Sequence, residues 1–162
     1  VDLAVRIGDL PDSTLLATRV GSIRRVVCAS PRYLAKRGTP KTPGELRDQD
    51  SLAFERFLAS GTSSCGWAKR LQAVPIRSRL IVNPAEPAVD PAVAGLGLTR
   101  VLSYQAASAT RAGALEVLLR ALEPPPWPVS LVYPGGRFLP LKVRAFIDFA
   151  APRLKAVLAG EA

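Results

Sequence analysis

The sequence predicts an α/β fold, and three observations carry that prediction. Short apolar runs with strand character recur along the chain, helix-start signals follow them directly, and the spacing between the two is short. With 162 residues and 48% hydrophobic content, the chain can bury one full core or two small ones. Alternation of strands with helices argues for a mostly parallel arrangement. No internal repeat is visible.

In order along the chain, Val1, Leu3, Val5 and Ile7 keep period two and predict a strand with one buried face. Residues 8–13 read as a turn-rich loop, and residues 15–20 as extended chain broken at Gly21. Residues 26–29 predict a short buried strand that delivers Ser30 as helix N-cap and Pro31 as first helical residue, with Gly38 as the stop. Thr42, Pro43 and Glu45 then spell a Thr-x-x-Glu capping box. A helix N-terminus at the carboxyl end of a strand offers unpaired N–H groups and a positive dipole end to an anion.

Residues 52–54 predict a buried strand, and residues 55–64 a loop. Residues 67–71 and 74–82 are expected to pair as a hairpin, with Val74, Ile76, Leu80 and Val82 on one face and Arg77 and Arg79 outward. Asn83, Pro84 and Glu86 start the next helix. Inside it, Pro87 and Pro91 each delete a backbone hydrogen bond, at roughly 3 kcal/mol for an interior site, so this helix is expected to be kinked or partly unwound. A strand at 98–102 follows, then a helix capped by Ser103 and closed by Gly113, and a strand at 115–119. Residues 123–128 form a stiff proline connector, residues 129–133 the last strand. The closing helix, 141–159, places Val143, Phe146, Ile147, Ala150, Leu154, Val157 and Leu158 along one stripe.

Composition excludes several chemistries. Without histidine no Ser-His-Asp or Cys-His pair can be built, and no His-ligated metal site. Neither Gly-x-Ser-x-Gly nor Ser-x-x-Lys occurs, so no catalytic role is expected. Cys28 and Cys65 fit neither a metal spacing nor a disulfide framework, and Cys28 reads as a small hydrophobe in a strand. The formal charge of +9 favours anionic partners, although the basic residues come in scattered pairs such as Arg24-Arg25 and Lys36-Arg37. No run is long and apolar enough to span a membrane, and a cytoplasmic location is expected. No methionine is present and the opening strand has core character, so the chain is expected to begin inside a longer protein.

The strand followed by Ala29-Ser30-Pro31-Arg32-Tyr33-Leu34 and Thr39-Pro40-Lys41-Thr42-Pro43, the stretch Ala94-Gly95-Leu96-Gly97-Leu98-Thr99-Arg100-Val101-Leu102-Ser103-Tyr104-Gln105, and Lys142-Val143-Arg144-Ala145-Phe146-Ile147-Asp148-Phe149 together resemble the effector-binding domain of LysR-type transcriptional regulators. The resemblance covers nearly the whole chain. It implies a two-lobed fold like type II periplasmic binding proteins, with the first lobe incomplete: residues 1–22 and 129–162 in lobe I, residues 23–128 in lobe II. It also implies a small acidic or aromatic effector held between the lobes and a homodimer or homotetramer. Operator DNA would be read only through an N-terminal winged helix-turn-helix that precedes this chain. No cofactor or metal is implied, and no membrane partner.

The effector-binding residues the resemblance implies are Arg6, Ile7, Ser30, Phe54, Asn83, Glu86 and Tyr133. All but Ile7 have a plainer reading. Arg6 can pair with a ligand carboxylate or face solvent at a strand end. Ser30 can hold an anion or only cap its helix, Asn83 and Glu86 can cap one another, and Phe54 and Tyr133 can finish the packing. Two further functions fit the same residues: a solute-binding protein of the same fold, and a basic module that binds nucleic acid with a steep salt dependence.

Overall fold

The computed structural model describes residues 2–54, 66–67, 70–71, 77–82, 86–135 and 139–159. The chain divides into two compact units, Val1–Arg24 with Pro126–Ala162, and Arg25–Pro125. It passes from the first to the second at Arg24–Arg25 and returns at Pro125–Pro126.

The first unit is a three-stranded antiparallel sheet with a helix. Its strands are β1 (Ala4–Ile7), β2 (Leu15–Ile23) and β10 (Trp127–Pro134), ordered β1-β10-β2, and the helix is α4 (Leu141–Ala159). Gly21 does not break β2, contrary to expectation; the strand runs through it. A Cβ at Gly21 would lie 2.7 Å from the Leu158 Cβ, so the missing side chain lets α4 approach the sheet. Opposite this point the register shifts between Val129 and Ser130, leaving Val20 as an extra residue in β2.

Two stripes expected to be buried in this unit are only partly so. Val5 and Ile7 are 53% and 40% exposed, because α4 packs along β2, at the opposite side of the sheet from β1. On α4, Val143, Ala150 and Leu158 are buried, whereas Phe146 and Val157 are exposed. Only the arc centred on the first three residues meets the sheet.

The second unit is built on a five-stranded sheet ordered β7-β4-β8-β3-β9, from β3 (Arg25–Ala29), β4 (Asp50–Phe54), β7 (Arg77–Val82), β8 (Leu98–Leu102) and β9 (Glu116–Leu118). The expected parallel arrangement holds here except for β3: β4 pairs in parallel with β7 and β8, while β3 is antiparallel to both β8 and β9. The antiparallel first sheet departs from it entirely, since its strands arrive from opposite ends of the chain. Among the described residues the expected hairpin does not form either. Gly66–Trp67 (β5) pairs with Arg70–Leu71 (β6), β7 joins β4 instead, and Val74 and Ile76 lie outside the described residues.

Helix α1 (Pro31–Arg37) begins and ends as its sequence predicts: Ser30 Oγ accepts the Tyr33 N–H at 3.3 Å, and Gly38, at φ +81°, donates its N–H to the Leu34 carbonyl. The Thr42 capping box takes another form. Pro43–Asp48 is a 3₁₀ helix, the Thr42 hydroxyl donates to Glu45 Oε1, and Glu45 Oε2 accepts the Lys41 N–H. These two bonds, the Lys41 amide first, hold the Glu45 carboxyl below its ordinary value. The proline-bearing segment is a 3₁₀ turn at Glu86–Ala88 followed by one short helix, α2 (Val89–Val93). Ser103 is not a cap but the first residue of α3 (Ser103–Arg111); Gln105 Oε1 accepts the Leu102 N–H in its place. Two apolar clusters cover the sheet, one of Val27, Ala29, Tyr33, Leu34, Leu46, Leu98 and Leu118, the other of Val26, Cys28, Leu52, Ala92, Val101, Ala106 and Leu115. Their alternation along β3 is the period-two pattern of a strand covered on both faces.

Candidate functional site

Each unit has one end of its sheet at which the chain enters and leaves, and the implied site residues sort by that criterion. In the second unit the entry is Arg25, opposite Leu102 in the β3–β8 register, and the exit is Pro125, whose carbonyl accepts from the Arg25 guanidinium at 3.4 Å. Leu52 is level with Thr99, and Phe54 with Val82, so the carboxyl ends of β4, β7 and β8 lie at this same edge. The backbone therefore places Phe54 and Glu86 there; Asn83 lies outside the described residues. Ser30 is at the other edge, beyond Cys28 and its partner Thr99. It is buried and occupied by its own cap. The fold does not bring Ser30 together with Phe54 and Glu86.

In the first unit the chain crosses at Ile23 and Trp127, which are paired at one end of the sheet. Ile7 is opposite Val129 and Arg6 opposite Ser130, near that end. Both are exposed on an edge strand. Tyr133 is opposite Leu16, towards the far end of β10, and its hydroxyl shares a 3.0 Å hydrogen bond with Thr18 Oγ1.

Ser103 is outside the set of site residues the resemblance implies, yet it stands at the crossover edge of the second unit. It is buried, and its hydroxyl has no hydrogen-bond partner among the described residues. The signal in the sequence was a serine beside a strand end, which capping alone accounted for. Away from this edge a polar cluster ties α1 to β4. The Tyr33 hydroxyl donates to Gln49 Oε1 and accepts the Asp50 N–H, both at 2.9 Å, while Arg37 donates to Asp50 Oδ2 at 2.7 Å. Burial raises the Tyr33 hydroxyl above its ordinary value, and the Asp50 carboxylate raises Arg37. Cys28 is buried and free, its thiol pushed up to about 12 by burial. No group of three metal-ligating side chains occurs among the described residues, and no helix there is long and apolar enough to cross a membrane.

Residues 1–155 match the family described as the LysR substrate binding domain. An HTH-type transcriptional regulator of Xanthomonas campestris pv. campestris is 31% identical over 157 residues, which are 94% of this chain and 46% of that protein. The regulatory domain of CrgA, a LysR-type transcriptional regulator from Neisseria meningitidis, superposes with a TM-score of 0.77 at 29% identity, covering 95% of this chain and 76% of that one. CrgA itself superposes with a TM-score of 0.79 at 28% identity, over 95% of this chain and 52% of that one. The chain spans about half the length of the curated relatives it matches.

Proposed function

The chain belongs to the LysR substrate-binding domain family, the effector-sensing part of LysR-type transcriptional regulators, and on that premise we propose that it binds a small acidic or aromatic metabolite between its two units. The observation that supports this reading most directly is the double crossover. A chain that passes twice between two compact units has a hinge, and a ligand gripped by both biases their arrangement through its differential affinity. In this reading the two units are the lobes, and the contact residues are Arg6 and Ile7 on one and Phe54 and Glu86 on the other, at the crossover ends, together with Asn83. Arg6 supplies a bidentate partner for a carboxylate and Phe54 an apolar wall. Ser30 and Tyr133 act within their own units, as cap and as hydrogen-bond partner of Thr18. The domain senses rather than catalyses, acts in a cytoplasmic dimer or tetramer, and leaves base reading to a helix-turn-helix.

A thermal-shift screen of this chain against aromatic and short-chain carboxylic acids tests the proposal. A ligand at about 100 times its Kd stabilises the folded state by about 2.7 kcal/mol, a clear rise in Tm. Arg6→Ala and Phe54→Ala are each expected to remove the rise while leaving the ligand-free Tm within a few degrees. A ligand that stabilises both variants as well as the parent chain would refute this placement. Absence of any stabilising acid would refute the ligand class.

A further inference from the structure

We propose that the α1 face of the second unit binds the phosphate backbone of duplex DNA without reading its bases. The cations it draws on are Arg32, Lys36 and Arg37 on α1, Lys41 and Arg47 in the segment that follows it, and Arg79 on β7, all exposed. Three acids lie among these six cations, Asp50, Glu45 and Asp48, and leave them in excess by 6 − 3 = 3 charges. Asp50 is buried, with its side chain 6% exposed, and its Oδ2 meets Arg37 at 2.7 Å and Arg79 at 3.6 Å. Two guanidiniums thus share one carboxylate, and their side chains, 49% and 57% exposed, keep N–H donors turned to solvent. Glu45 accepts from the Lys41 amide and the Thr42 hydroxyl, and Asp48 lies 3.6 Å from Arg47.

Position as well as charge is arranged. Arg32 and Lys36 are four residues apart on α1 and share one side of it. The Arg32 stem lies along Gly95, where a Cβ would meet its Cδ at 3.6 Å. Arg37 is fixed by Asp50, and Asp50 by the backbone bond to Tyr33. Guanidinium forks match phosphate oxygens, and four of the six cations are arginines. A spread of cations with no enclosing pocket suits a line of phosphates better than one small anion. The relatives above are HTH-type transcriptional regulators, which makes duplex DNA the polyanion closest to hand. The contact adds affinity and orientation, and does not depend on the effector reading.

Fluorescence anisotropy of the 162-residue chain with a random-sequence duplex of about 20 base pairs, between about 50 and 200 mM NaCl, is the test. Binding is expected, falling steeply with salt and indifferent to sequence. The variant Arg32→Gln/Lys36→Gln/Arg47→Gln, which leaves the Asp50 cluster intact, should bind at least about tenfold more weakly at low salt, with the log–log slope reduced by about 2–3. A control of equal charge on the other unit, Arg19→Gln/Arg144→Gln/Lys155→Gln, should lose less than about threefold. If the triple variant does not keep the parent Tm, Lys36→Glu alone carries the comparison. No binding at low salt overturns the proposal. So does an equal loss in the control, which would make net charge the cause, or displacement by polyglutamate as effective as by unlabelled duplex at matched charge, which would make the face a site for acidic protein.

Discussion

Cys28 and Gly97 show how single positions are constrained by what surrounds them. The Cys28 thiol, raised to about 12 by burial against an ordinary value of 9.0, stays protonated in the folded chain at pH values where the unfolded chain ionises. Its contribution to stability is therefore complete below pH 9.0 and declines as pH rises towards 12, by at most about 1.4 kcal/mol per pH unit. Alkaline denaturation of Cys28→Ala should show a shallower loss than the parent over that window, and peptide mapping after iodoacetamide at pH 8 should find Cys28 unlabelled until denaturant is added. At Gly97 a Cβ would overlap the Asp50 carbonyl oxygen, which is backbone and cannot swing away. Gly97→Ala should cost about 1–3 kcal/mol by chemical denaturation. Gly44→Ala, where the nearest atom is 4.0 Å away, should stay within about 0.5 kcal/mol of the parent. Ser103→Ala removes a buried hydroxyl without a partner among the described residues, and a small gain in Tm is expected.

Between elements, the bond that matters most is the Tyr33 hydroxyl, which joins α1 to the start of β4 by giving one hydrogen bond and taking another. Tyr33→Phe keeps the ring in its apolar cluster and removes the hydroxyl that bonds both the Asp50 N–H and Gln49 Oε1 inside the fold. A loss of about 1–3 kcal/mol is expected, with the same m-value as the parent. The elements themselves were largely legible from local chemistry. Helix α1 is written in Ser30, Pro31 and Gly38, and the proline-bearing stretch before β8 shortens as Pro87 and Pro91 require. What misled were residues whose role depends on a distant neighbour. Gly21 has the mark of a strand break and is instead the place where Leu158 meets the sheet. The hydrophobic stripes of β1 and α4 promise burial, but apolar period alone does not say whether anything lies opposite.

Across the whole molecule, the proposed sensor reading puts the hinge at the two connections between units, Arg24–Arg25 and Pro125–Pro126. Trp127 opens β10 immediately after the return crossover. In a Trp67→Phe background its emission reports on that point alone, and a ligand that raises Tm is expected to shift it. An unchanged spectrum at saturation would mean that binding leaves the crossover undisturbed. The candidate residues were legible to different degrees for a topological reason. Arg6, Ile7, Phe54 and Glu86 fall at crossover ends of their sheets. Ser30 carries the same strand-to-helix wording, yet β3 runs against its neighbours and delivers it to the opposite edge.

Composition and short-range pattern specify the α/β class, the start and stop of α1 and α4, the absence of histidine chemistry, and a family wording that extends through residue 155. These depend on contacts within a few residues, or on composition, and need no knowledge of folding partners. Strand direction, the β4–β7 pairing, the passage of β2 through Gly21, and which candidate residues share an edge come from long-range contacts. Hydrogen-bond partners across a sheet are set by which elements return to it, and that information is spread over the length of the chain.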